Sequence, residues 1–124
     1  AFPPTSKQKG NWAENIACQW LITKGLTLKQ RNFSCRYGEI DLIMTDRLEL
    51  IFFEVKYRKN NHYGSAEAAI TAQKCRRVVA AAETYLLMHN YCSNQPLRFD
   101  AITVVPTRDS HLDCTINWIK NILS

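Results

Sequence analysis

The sequence predicts an α/β fold, a mixed central sheet flanked by helices, laid out along the chain as α-β-β-β-α-β plus a tail. Two segments repeat apolar residues at helical spacing, and four read as extended by alternation and turn signals. One extended segment, residues 48–57, is apolar on both faces over most of its length. That is the pattern of a central strand covered on both sides. At 124 residues the chain forms one domain and buries a core without disulfide or metal staples.

The first helix is expected over residues 7–24. Trp12, Ala13, Ile16, Ala17, Trp20 and Leu21 recur at three- and four-residue steps, and Gly25 is a stop just past a lysine. Residues 26–33 alternate loosely and read as a strand. Residues 38–45 form a second strand and 48–57 a third, with Asp46-Arg47 as a polar turn of hairpin size. On the third strand Leu48, Leu50 and Phe52 take one face, and Ile51, Phe53 and Val55 the other. Residues 58–64 are a polar loop; 65–70 are either a helical turn or an ordered lead-in. Residues 71–90 carry a stripe of Cys75, Val78, Val79, Ala82, Leu86 and His89 and read as a long helix. Residues 97–105 are a strand that Pro106 is expected to end. Residues 112–123 form a last strand, a short helix, or one leading to the other. The first six residues are expected to be flexible, and residues 7–124 to make the single domain.

Sixteen Lys and Arg against eleven Asp and Glu leave a net charge of +5, which favours an anionic partner such as nucleic acid. No apolar run approaches bilayer length, and Ala1-Phe2-Pro3-Pro4-Thr5-Ser6 lacks the apolar core of a signal peptide. No membrane partner is expected, and the expected location is cytoplasmic. The five cysteines have no C-x-x-C spacing, so reduced and mostly buried thiols are expected. His62, His89 and His111 show no ligand spacing to one another.

The chemistry concentrates in Asp41, Glu54 and Lys56. Alternation puts Glu54 and Lys56 on one strand face. A hairpin between the second and third strands brings Asp41 beside Glu54. Two carboxylates and an ammonium at a sheet end suit a divalent ion and an attacking water. The Val55 carbonyl, between Glu54 and Lys56, supplies another oxygen. The competing reading is a surface ion pair on an edge strand, worth little. Against it, the triplet ends a strand too apolar for an edge, and Asp41 lies between Ile40 and Leu42. Glu14, beside the apolar stripe of the first helix, is either a fourth site carboxylate or a solvated glutamate. Arg58, Lys59 and His62 follow the third strand in a polar, basic loop fit to clamp a phosphate backbone. Lys74 at the start of the long helix and Arg31 beside the first hairpin extend that surface. Asp100, between Phe99 and Ala101, reads as structural, held through Arg98 or a backbone group.

With these residues in place, the chain resembles the YraN-type family, within the restriction-endonuclease-like (PD-(D/E)xK) nuclease superfamily, and is similar to archaeal Holliday-junction resolvases. The resemblance runs through Gly10, Glu14, Gly25, Arg31-Asn32, Gly38-Glu39-Ile40-Asp41-Leu42-Ile43, Phe53-Glu54-Val55-Lys56-Tyr57-Arg58, Gly64, Lys74 and Arg98-Phe99-Asp100. It implies a restriction-endonuclease-like core, metal ligands at Asp41 and Glu54, a catalytic lysine at Lys56 and a resolvase-like helical carboxylate at Glu14. Ile40 stands where the superfamily's name has proline, and the aspartate that carries the chemistry is kept. The expected function is a Mg²⁺-dependent endonuclease, with Mn²⁺ as substitute, acting on DNA in preference to RNA and on branched or repair intermediates. Two alternatives are a non-catalytic nucleic-acid-binding module and a metal-independent RNA endonuclease using His62 and a lysine. A homodimer is expected, because branched DNA offers two scissile strands and one chain carries one site.

Overall fold

The first helix begins where a capping box can form. Thr5 Oγ1 accepts the Gln8 N–H at 3.1 Å, and the Gln8 side chain accepts the Thr5 N–H at 3.3 Å. The structure, a computed structural model, describes residues 5–59, 71–107 and 110–123, with the side chains of 110–112 left aside. Helix α1 (Ser6–Thr23) therefore includes part of the segment expected to be flexible, and residues 1–4 lie outside the described ones. Gly25, at φ 97°, supplies the left-handed turn that ends α1.

Three strands follow: β1 (Thr27–Cys35), β2 (Gly38–Asp46) and β3 (Glu49–Tyr57). The β2–β3 hairpin closes on Arg47 and Leu48, since Asp46 pairs with Glu49; the turn is one residue later than its polar pair implied. Then come α2 (Ala72–Met88), β4 (Leu97–Thr107) and β5 (Ser110–Ile119). The sheet runs β1-β2-β3-β4-β5, antiparallel throughout except for β3 beside β4. A parallel pair needs a long crossover, and the segment containing α2 provides it. The tail is thus a strand followed by a turn. Pro106 does not end β4; it pairs with Cys114 of β5 just before a register shift. By that point β3 has stopped at Tyr57↔Val104, so a missing N–H costs little there. None of the described helices is long and apolar enough to cross a membrane.

The helices cover opposite faces of the sheet. Ala13, Ala17 and Leu21 of α1 pack on Leu42, Met44, Ile51, Phe53, Ile102 and Val104. Ala81, Ala82 and Tyr85 of α2 pack on Phe33, Ile40, Ile43, Leu50 and Phe52. Strand β3 is central and covered on both faces, as its composition requires. The anchor of α2 is Tyr85, edge-on to Phe33 with ring centres 5.3 Å apart, while His89, at the end of the expected stripe, is exposed.

One irregularity positions the site. Ile40 belongs to the α2 layer and Leu42 to the α1 layer, although residues two apart on a regular strand share a face. Across from Asp41, between the pairs Arg31↔Leu42 and Phe33↔Ile40, Asn32 takes the left-handed φ of 52°. Asparagine tolerates that conformation better than most residues. The alternation switches at Asp41, which sits between the two layers.

Gly38 lets β2 approach α2 closely. A Cβ there would lie 3.0 Å from the Arg77 carbonyl oxygen and 3.1 Å from the Arg77 Cβ. Because the nearest obstacle is helix backbone, Gly38→Ala is expected to destabilise by about 1–3 kcal/mol. Urea denaturation measures it; a variant as stable as the parent would mean that α2 yields freely.

Candidate functional site

The site lies in a fork of the sheet. Pairing between β2 and β3 stops at Leu42↔Phe53, although both strands continue. Beyond the fork the Val55 N–H donates to Asp41 Oδ2 at 2.8 Å. A side chain thus satisfies a backbone group that the partner strand has left. Asp41, Glu54 and Val55 line a cleft of about 570 Å³, with Thr71, Gln73 and Lys74 from the start of α2 on its other side. Asp41 and Glu54 therefore share a cavity, as strand alternation and the short turn predict.

Glu54 is buried, with 8% of its surface exposed. Its Oε1 meets two ammonium groups: Lys56 Nζ at 3.3 Å and Lys74 Nζ in closer contact. Lys56 is not among the residues lining the cleft and reaches Glu54 along its own strand. Lys74 comes from the first turn of α2, where Thr71 Oγ1 accepts its N–H at 3.1 Å and caps the helix.

Glu14 approaches from α1. Its Oε1 is 3.8 Å from Arg31 Nη2, and neither this buried oxygen nor the buried Arg31 Nε has a hydrogen-bond partner. The carboxylates sense one another through the switch at Asp41. Burial, then the charge of Glu54, pushes Asp41 up to about 7, with Glu14 adding and the bond from Val55 opposing. Burial also raises Glu14, against a hydrogen bond from Asn32 and the charge of Arg31. Burial, helped by the neighbouring Lys74, lowers Lys56 below the usual lysine range. Burial is the largest single influence on Lys74 and works against its charge, but its contacts with Glu54 and Lys56 and the charges of Glu54 and Asp41 together outweigh it, and its pKa rises.

The expected nucleic-acid residues are placed less uniformly. Arg31 points at Glu14 and Lys74 at Glu54, so both are engaged with site carboxylates. Arg58 is half-buried at the end of β3 and its N–H bonds the Val104 carbonyl; Lys59 is exposed. His62 lies outside the described residues. Asp100 is remote in role: it accepts from Arg98, Trp118 and the Asn121 N–H.

The pattern of "Uncharacterised protein family UPF0102" matches residues 13–104. The chain belongs to the UPF0102 family. A UPF0102 protein of Nitrosococcus oceani is 42% identical over 119 residues, covering 96% of this chain and 94% of its own. One from Alcanivorax borkumensis is 41% identical, covering 94% and 92%. One from Vibrio parahaemolyticus is 38% identical, covering 97% and 95%. UPF0102 is the YraN-type family that the Gly38–Ile43 and Phe53–Arg58 stretches resemble, and it is of the restriction-endonuclease-like superfamily. The matched UPF0102 segment holds Glu14, Asp41, Glu54, Lys56 and Lys74 together.

Two features of this UPF0102 site escaped the sequence. One is the place of Asn32, which acts on Glu14 and takes a left-handed φ inside β1; an asparagine inside a strand pattern was the available signal. The closure of Lys74 onto Glu54 had no signal, because spacing along the chain says nothing of a contact 20 residues apart.

Proposed function

We propose that this UPF0102 protein is a Mg²⁺-dependent nuclease that hydrolyses phosphodiester bonds in DNA, including branched or repair intermediates. The observation that carries the reading is the shared cleft at the fork, where Asp41 and Glu54 meet with Lys56 attached to Glu54. The donor set fits magnesium. It is all oxygen: two carboxylates and the Val55 carbonyl. Among the described residues no three His, Cys, Asp or Glu side chains group to cage an ion. Magnesium needs no such cage, since it takes one or two carboxylates and keeps several waters. Glu14 Oε1, buried without a hydrogen-bond partner, is an acceptor suited to one of those waters.

Asp41 and Glu54 would hold the ion, which would supply an acidified water and a sink for developing charge. Asp41 is fixed for this by the Val55 N–H. Lys56, held against Glu54, would orient the water and steady the charge that develops on the phosphate. The start of α2, with its positive dipole end, faces the cleft and favours a phosphate there. Arg58 and Lys59, just past β3, would contact the phosphate backbone. Paired sites in a homodimer would address both strands of a branched substrate.

The test is a panel of end-labelled substrates (linear duplex, flap, four-way junction, single strand, RNA) with Mg²⁺ or Mn²⁺. Cleavage of DNA is expected, lost in EDTA and lost in Lys56→Met, which should still bind Mn²⁺. Binding without cleavage of any substrate would replace this reading with a non-catalytic nucleic-acid-binding module. Cleavage that survives EDTA would point to metal-independent chemistry.

A further inference from the structure

We propose that Lys74 is a built-in counter-cation: it closes the cleft onto Glu54 in the ion-free protein and is released to a substrate phosphate when the ion binds. The inference rests on the metal-site reading above and deepens it.

Lys56 and Lys74 both place Nζ against the same oxygen, Oε1 of Glu54. Lys56 also feels the charge of Lys74. Two ammonium groups on one carboxylate oxygen are more positive charge than that oxygen needs. The two differ in which is free to leave. Lys56 is carried by β3, the strand that also carries Glu54. Lys74 comes from α2, across the cleft, with its side chain about one-third exposed, at 34%. The Thr71 cap holds its backbone, so only the side chain has to swing.

The charges of the cluster agree with this assignment. Glu14, Asp41 and Glu54 face Arg31, Lys56 and Lys74. Fully ionised, three carboxylates against three cations leave no net charge for a divalent ion to neutralise. Lys74 also acts electrostatically on Asp41, so it would oppose a cation held by these carboxylates. Withdrawing it opens the position and leaves a cation at the mouth of the cleft, beside the α2 N-terminus. A phosphate is the group that such a freed ammonium meets there. Ion binding and phosphate binding thereby become coupled, each favouring the open position of Lys74. An ordinary orienting salt bridge makes the opposite forecast: removing Lys74 would loosen Glu54 and weaken the metal site.

The experiment is a Mn²⁺ titration of the full chain, with free Mn²⁺ read by electron paramagnetic resonance and heat by calorimetry. The variants are Lys74→Met and Lys74→Gln, with Arg76→Met, an exposed residue on the same helix, as control; circular dichroism checks folding. Both Lys74 variants are expected to bind Mn²⁺ about tenfold tighter than the parent, and Arg76→Met like the parent. In anisotropy with a labelled duplex, Ca²⁺ should tighten the parent's DNA binding and leave that of Lys74→Met little changed. Unchanged or weaker Mn²⁺ binding in both Lys74 variants overturns the proposal while the metal-site reading stands. Absence of Mn²⁺ binding in the parent and every variant overturns both.

Discussion

Asp41→Asn is expected to abolish Mn²⁺ binding and cleavage while making the ion-free protein more stable above pH 7. The carboxyl of Asp41 is pushed up to about 7, from an ordinary 3.8, by burial and by Glu54. Between those values the folded chain holds a proton that the unfolded chain has lost. Stability then falls as pH rises from about 4 to about 7 and stays low above it. The full penalty is on the order of 4 kcal/mol at most. Asparagine removes the titration, and its carbonyl oxygen keeps the bond from the Val55 N–H. Urea denaturation from pH 5 to pH 8 should show a declining midpoint for the parent and a flatter profile for the variant. Ion binding follows the opposite sign, because the ion competes with the proton: Mn²⁺ affinity should rise with pH up to about 7. A variant that binds Mn²⁺ like the parent would show that Asp41 is not a ligand.

Asp100→Ala should lower the stability of the fold by about 3–5 kcal/mol. Asp100 is completely buried. It accepts from Arg98 Nε and Nη2 at 2.9 Å, from Trp118 Nε1 at 2.8 Å and from the Asn121 N–H at 3.0 Å. It thereby ties β4 to β5 and to the turn after it. Truncation leaves a half-buried guanidinium with Glu49 alone and strands two further donors. Losing one partner of a buried, hydrogen-bonded pair costs about 3–5 kcal/mol, a large part of a domain's usual 5–15 kcal/mol. Thermal and urea melts measure the loss. Mn²⁺ affinity per folded molecule should not change, which separates a structural aspartate from a ligand. A melt close to the parent's would remove Asp100 from the framework.

Element identity was legible because it is local. The two-sided apolar run of β3 marked a central strand, and Phe53 and Phe52 do occupy opposite layers. The approach of Asp41 to Glu54 in one cleft was also legible, because a short turn and a two-residue period leave little freedom of register. Pro106 misled because its effect depends on neighbours: a proline is harmless in a strand whose partner has already ended. Arg31 and Lys74 read as free basic residues because charge composition does not say which carboxylate a long side chain will meet.

By itself, then, the sequence determined the order of helices and strands, the central place of β3 and the meeting of two carboxylates with a lysine. These follow from periods of two and 3.6 residues and from one tight hairpin. Only the tertiary structure decided the rest. It placed the fork after Leu42↔Phe53, the switch of faces at Asp41, the approach of Glu14 from one layer and the closure of Lys74 from the other. Those depend on how two helices pack on opposite faces of the sheet, and on Gly38 admitting α2 to within 3.0 Å of where its side chain would begin. Packing of that kind sums contacts between residues far apart in the chain, and no local pattern encodes it.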